Sequence, residues 1–302
     1  MKRRSFLEKF ALTSAGLMIT RPSLAYITGP TENKHKLVIL HTNDTHSNID
    51  PFPKNHSKYP GMGGIAKRYA MVKEIREKEP NVLLLDSGDI FQGTPYFNTF
   101  HGVLEMKCMS RLGYDASTMG NHDFDIGMDG FIKAKKHANF PFLCANYDFS
   151  NTVLKDATQA FKIFKKGSVK IGVFGIGIEL NGLVPSSAYG DTVYNDPIEI
   201  ANETAAQLKK EKCDLVICLS HLGFEYQDDQ KVSDRKLAQS SIDIDLILGG
   251  HTHTFLEEPV IEKNKSKKNV LINQVGWAGI QLGRIDIDIK KVKLSSENLV
   301  VF

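Results

Sequence analysis

The chain has 302 residues, 41% of them hydrophobic and 24% charged, with four cysteines and a formal net charge of +3. This is the composition of an ordinary globular protein of one large or two small domains, which excludes a disordered, collagenous or coiled-coil chain. The positive charge is local: residues 1–25 hold five basic side chains against Glu8, so the remainder, 33 basic against 34 acidic, stands at −1 and has no general footprint for nucleic acid.

Residues 1–25 read as an address. Arg3-Arg4 precede Phe6-Leu7, a modest apolar stretch covers 10–20, and Ser23-Leu24-Ala25 supplies small residues before a cleavage point. That is the layout of a Tat-type signal peptide, and it predicts export to the periplasm or cell surface. Ala, Ser, Thr and Gly dilute the stretch too far for a stable membrane span. One domain is expected over 34–302.

Within it, residues 37–40 read as a buried strand, 65–79 as a helix stopped by Pro80, and 82–85 as a second strand. Residues 103–112, closed by Gly113, and 128–138 read as helices, and 142–145 as a strand. Residues 161–164 and 169–176 read as a hairpin around Lys166-Gly167-Ser168, and 198–212 as a helix. Strands follow at 215–219, at 244–248 and, once or twice, within 270–289. Apolar strands separated by amphipathic helices predict an α/β domain whose sheets are buried on both faces. The alternating end, Ile285-Asp286-Ile287-Asp288-Ile289, predicts an antiparallel or edge strand. Cys108, Cys144, Cys213 and Cys218 form no disulfide framework. Cys213 and Cys218 lie too far apart along one strand to bridge, so buried free thiols are expected.

Polar, metal-type residues gather where the apolar runs end: His41-Thr42-Asn43-Asp44-Thr45-His46, Asp86-Ser87-Gly88-Asp89, Gly120-Asn121-His122-Asp123-Phe124-Asp125, Ser220-His221 and Gly249-Gly250-His251-Thr252-His253. One such cluster is weak as a signal, but five at successive strand ends match the place where α/β sheets put their active sites. Oxygen and imidazole donors without thiolate suit Zn, Mn, Co, Fe or Mg and disfavour iron–sulfur clusters. Seven candidates are too many for one ion and enough for two that share a carboxylate.

In this order the motifs resemble the calcineurin-like metallophosphoesterases, more narrowly the catalytic domain of the 5′-nucleotidases and UDP-sugar hydrolases. Phe91-Gln92-Gly93-Thr94-Pro95 and Gly113-Tyr114-Asp115-Ala116 also fit that subfamily. The resemblance implies a four-layer α/β/β/α sandwich with its site at the carboxyl ends of the strands. It implies one divalent ion on Asp44, His46, Asp89 and His253, and a second on Asp89, Asn121, His221 and His251. His122 then stabilises the transferring phosphoryl group and Asp125 orients it. His41 and Asn43 fall outside the ligand set, and Asp86 and Asp123 serve as supports. The implied reaction is attack of a hydroxide bridging the two ions on a phosphomonoester, a nucleoside 5′-monophosphate first. The alternatives are diester or pyrophosphate hydrolysis, on 2′,3′-cyclic nucleotides or UDP-sugars, and a weakly active metal-loaded subunit that binds a partner. The family continues into a second domain that grips the base. With Phe302 as its last residue, this chain is expected to work with a more open site or with a separately encoded substrate-binding domain.

Overall fold

The computed structural model describes residues 35–228, 230–288 and 293–302; the signal-peptide reading of residues 1–25 lies outside the described residues. In chain order the elements are β1 (Lys36–Thr42), α1 (Ile65–Lys78), β2 (Val82–Asp86), α2 (Pro95–Phe100), α3 (Val103–Leu112), β3 (Ala116–Ser117), a 3-10 turn (Asn121–Phe124), α4 (Gly127–Lys135), β4 (Tyr147–Asp148), β5 (Phe161–Lys166), β6 (Val169–Ile176), α5 (Ser186–Tyr189), β7 (Val193–Tyr194), α6 (Pro197–Lys210), β8 (Leu215–Ser220), α7 (Asp234–Ser240), β9 (Leu246–Leu248), β10 (Val260–Lys263), β11 (Asn269–Asn273), β12 (Gln281–Asp288) and β13 (Lys293–Val300). One sheet runs β13-β12-β1-β2-β3 and the other β10-β11-β9-β8-β6-β5.

Alternation along each strand builds four layers. On β1, Leu37 and Ile39 point between the sheets and meet Ile171, Val173, Ile217 and Leu219 of the second sheet. Val38 and Leu40 point the other way, onto Val72, Ile75, Met106, Met109 and Leu112 of α1 and α3. Across the second sheet, Phe174, Val216, Cys218 and Ile247 pack against Ala201, Ala205 and Leu208 of α6 and Leu237 and Ala238 of α7. Strands buried on both faces therefore read as continuous apolar runs. Local signals set the helices: Asp196 accepts hydrogen bonds from the Ile198 and Glu199 N–H groups, with Pro197 in the first turn of α6. All four cysteines are free thiols. No helix among the described residues is long and apolar enough to cross a membrane.

One expectation needs correction. Residues 142–145 make only isolated bridges, Phe142 to Ser117 and Leu143 to Gln159. Here the chain crosses between sheets, and the Ala145 N–H already donates to Gly175 O of β6, so no continuous ladder forms. The alternating segment is antiparallel, as expected, with β1 on one side of β12 and β13 on the other. Its polar face is a charged cluster in which Arg284 Nε donates to Asp286 Oδ2 at 2.7 Å and Lys36 Nζ lies 3.4 Å from Asp286. The alternation records one solvated face, not an unpaired strand.

Candidate metal centre

β1, β2 and β3 run parallel in one sheet, and β6, β8, β9 and β11 in the other. Their carboxyl ends therefore open on one rim. Backbone bonds join the turns there: Asp44 N–H to Gly88 O at 2.9 Å and His46 N–H to Asp89 O at 3.0 Å. Ser87 Oγ donates to Leu248 O at 2.7 Å and links the two sheets. His251 N–H does the same from the opposite direction, 3.0 Å from each carboxylate oxygen of Asp44.

The backbone here adopts shapes that L residues seldom take. Asp44, His46, Asp89, His251 and His253 have φ of 48, 45, 54, 73 and 52°. Such left-handed non-glycine residues persist only where surrounding contacts force them, and they concentrate at functional sites. Gly120 is needed for a different reason, because a Cβ there would collide with the Asp89 carboxylate and the His221 ring.

Two groups result, each with one ligand atom per residue inside a 4.8 Å span: Asp44, His46 and His253, and Asp89, His221 and His251. Both carboxylates face both groups. Asp89 Oδ2 lies 3.1 Å from His221 Nε2 and 3.8 Å from His46 Nε2, while Asp44 Oδ1 lies 3.4 Å from His253 Nε2 and 3.9 Å from His221 Nε2. Asn121 Oδ1 joins the second group at 2.9 Å from His251 Nδ1. Sequence-predicted ligands are thus all at one rim.

The orientation of each ring suits a cation. His221 Nδ1–H donates to Ser87 O at 2.6 Å and His46 Nδ1–H to Phe91 O at 3.1 Å, which turns Nε2 of both toward the carboxylates, where a bound cation would take the place of a proton. His221 Nε2 is buried and, despite the nearby carboxylate, has no hydrogen-bond partner. His46 Nε2 and His253 Nε2 face each other at 2.9 Å. Burial disfavours a charged His221, but Asp89 and Asp44 prevail and push its pKa up to about 10. Against the cost of burial, the His221, His46 and His122 rings hold the Asp89 carboxyl well below its ordinary range. Burial and the His221 charge depress His251 to about 4. This pocket demands positive charge and supplies hard oxygen and imidazole donors, so its residues fit divalent ions.

Beside the two groups, His122 Nδ1 lies 2.8 Å from Asp125 Oδ2, and that hydrogen bond raises the His122 pKa. The His122 ring packs edge-on against His46 with centroids 5.3 Å apart, and the His122 backbone N–H donates to Asp89 Oδ1 at 2.8 Å. His41 lies behind the site, with Nε2 2.8 Å from Asn273 Nδ2. Asp86 accepts from Thr42 Oγ1 at 2.6 Å and Ser117 Oγ at 2.9 Å, tying β1, β2 and β3 together. Asn43 Nδ2 donates to Asp44 Oδ2 and to Gly276 O, both at 2.6 Å. Asp123 accepts the N–H groups of Asp89, Ile90 and Gly120 at 2.8–3.0 Å and pins the two turns to each other.

Two contributors were not singled out from the sequence. Trp277 stacks on His253, with centroids 5.7 Å apart and planes 7° apart. Gln274 accepts from Thr254 N–H at 2.5 Å and donates to Gly250 O at 2.6 Å, bracing the His251–His253 turn. Both follow β11, a further strand end on the same rim, and that position was the available signal.

Comparison with known proteins agrees with this geometry. Residues 37–255 match the family model for calcineurin-like phosphoesterase. The chain is 35% identical over 228 residues to the snake venom 5′-nucleotidase of Crotalus adamanteus, covering 73% of this chain and 37% of that protein. The chain thus spans well under half the length of such relatives. It overlays the crystal structure of the 5′-nucleotidase precursor from Thermus thermophilus with a TM-score of 0.79 and 30% identity, covering 88% of this chain and 54% of that one. It also overlays the calcineurin-like phosphoesterase YfkN from Bacillus subtilis with a TM-score of 0.69 and 27% identity, covering 87% of this chain and 90% of that one. Strand-end ligands, two facing metal-type groups and the match over most of its length place this chain in the calcineurin-like phosphoesterase family.

Proposed function

We propose that this domain is a dinuclear-metal phosphoesterase that hydrolyses phosphomonoesters, with nucleoside 5′-monophosphates as the first substrate class. The observation that carries the reading is the pair of facing groups, Asp44–His46–His253 and Asp89–His221–His251, with both carboxylates reaching toward both. Two divalent ions bound there would activate water and neutralise phosphoryl oxygens. His122, held by Asp125 in a form that favours the charged ring, stands beside them to donate a hydrogen bond to a phosphoryl oxygen or a proton to the departing alkoxide. Asn121 Oδ1 stands 2.9 Å from His251 Nδ1 and Asp44 Oδ1 3.4 Å from His253 Nε2, so each group pairs an oxygen donor with an imidazole. The 5′-nucleotidase relatives favour the nucleotide class. Diester hydrolysis is the second reading, supported by 31% identity over 291 residues to a relative described as a trifunctional nucleotide phosphoesterase. Residues 1–25 support Tat-dependent export.

Purified protein loaded with Mn, Zn, Co or Mg is assayed against AMP, UDP-glucose, 2′,3′-cyclic AMP and bis-p-nitrophenyl phosphate. AMP is expected to turn over fastest. Preference for the cyclic or diester substrates selects the second reading, and no hydrolysis with any metal contradicts both.

A further inference from the structure

Beneath the turn that carries Asp44 and His46 lies a small cavity whose lining includes Ser47, Arg68, Ile90, Glu105, Met109 and Tyr114. It leaves about 10 Å³ for the centre of a water molecule, the size that admits a single water. Three of its walls are polar or charged and almost withdrawn from solvent: Ser47 is 1% exposed, Glu105 2% and Arg68 3%. Ser47 Oγ, Arg68 Nε and Nη1 and both carboxylate oxygens of Glu105 have no hydrogen-bond partner within the protein. No direct ion pair joins Arg68 to Glu105 among the described residues. Five orphaned polar atoms around one small cavity are not a stable arrangement unless something bridges them.

We infer that one buried water bridges Arg68, Glu105 and Ser47, and that this clamp positions the Asp44–Ser47 turn. The water accepts from Arg68 Nε and Nη1 and donates to one Glu105 carboxylate oxygen and to Ser47 Oγ, the four bonds a water can make. The turn needs such a support because Asp44, His46 and Ser47 all hold left-handed backbone, with φ of 48, 45 and 53°. From above, Ser47 is tied by its N–H to Ile90 O at 2.9 Å and by its carbonyl to Thr94 Oγ1 at 2.8 Å. Its hydroxyl is the tie from below. Arg68 also presses on the other segment that frames Asp44: a Cβ at Gly279 would collide with its guanidinium, and the neighbouring Ala278 N–H donates to Asp44 O at 2.8 Å. Arg68 and Glu105 are thus positioning residues, from α1 and α3, for one of the two groups. This step rests on reading Asp44 and His46 as metal ligands; the bridging water does not.

Two measurements test it. An atomic-resolution crystal structure of the wild-type protein is expected to show one water within hydrogen-bond distance of Arg68, Glu105 and Ser47; a dry cavity, or a direct Arg68–Glu105 contact, overturns the clamp. Calorimetric titration with Mn²⁺ of Glu105→Gln and Arg68→Met, both checked for folding, is expected to show one site weakened by about 10-fold. The weakened site is the one lost in His253→Ala, and the other is unchanged. Arg68→Lys, which keeps a donor in the cavity, recovers part of the loss. Equal weakening of both sites, or none in a folded Glu105→Gln protein, overturns the positioning role. Should the wild type bind no Mn²⁺, the proposed function fails, and the crystal structure still decides the clamp.

Discussion

The two halves of the centre are built to different standards of closure. Around Asp89, His221 and His251, each side chain has a second anchor: Asp89 Oδ1 takes the His122 N–H, His221 Nδ1 is fixed on Ser87 O, and His251 Nδ1 meets Asn121. The His221 side chain is 0% exposed. In the other half Asp44 and His46 are anchored as well, by Asn43 and the His251 N–H and by Phe91 O, but His253 is 40% exposed in its side chain, and its ring is held by His46 and by the face of Trp277. Outer anchors fix the tautomer and direction of a ligand and commonly govern how tightly it holds. The comparison predicts a tight ion in the closed half and a readily exchanged one in the open half.

The largest effect is expected where the halves meet. Asp89 faces both groups, so Asp89→Ala loses both ions and lowers kcat/KM by about 10³-fold or more; elemental analysis that still finds two ions per chain breaks the shared-carboxylate view. Next comes the residue outside both halves. His122→Ala lowers kcat by about 10²-fold with both ions retained, and Asp125→Asn, which removes the anchor and not the ring, by less. Loss of metal along with activity in His122→Ala would place His122 among the ligands instead.

Trp277→Ala addresses the open half alone. Without its stacking partner His253 is free to rotate, and the weaker of two calorimetric Mn²⁺ affinities is expected to fall by about 10-fold while the stronger stays put. Because Trp277 is the one tryptophan in the sequence, metal addition to the wild type also changes its fluorescence, and the dose at which it does so reports the open half. A response that follows the tighter ion would reverse the assignment of the two halves.

The smallest effect lies behind the open half, at the root of its turn. Burial depresses the His41 pKa to about 3, and its Nε2 accepts from Asn273, so the ring is neutral in the fold. The unfolded chain takes up a proton near pH 6.5. Its contribution to stability is therefore complete above that value and is lost as pH falls from 6.5 toward 3, at up to about 1.4 kcal/mol per pH unit. Urea unfolding of wild type and His41→Gln at pH 7 and pH 5 isolates it: the wild type loses more stability over that interval, and parallel losses would contradict a neutral buried ring.

The site was legible in the sequence because its chemistry is written in short contiguous runs, each directly after an apolar strand. Asp44 and His46 share one turn, His251 and His253 another, and the fold only has to bring the turns to one rim. The layers were legible for the same reason, as both faces of β1 and β8 are buried and leave unbroken apolar runs. What stayed hidden depends on partners distant in the chain. Arg68 reads as one more charge on an amphipathic helix until α1 packs against α3 and Glu105. Trp277 lies outside every polar run, and only the fold, by way of β11, delivers it to His253. The alternation from Ile285 to Asp288 reports a polar face and an antiparallel strand, but sequence periodicity carries no information on how many neighbours a strand has.

Two ions held by the two groups across a shared carboxylate are what the chemistry of this site depends on. An anomalous-scattering map of crystals grown with Mn²⁺ tests for them most directly. Two peaks are expected, about 3.5–4 Å apart, one against Asp44, His46 and His253, the other against His221, His251 and Asn121, with Asp89 between them. A single peak, or two that do not share Asp89, would contradict the account.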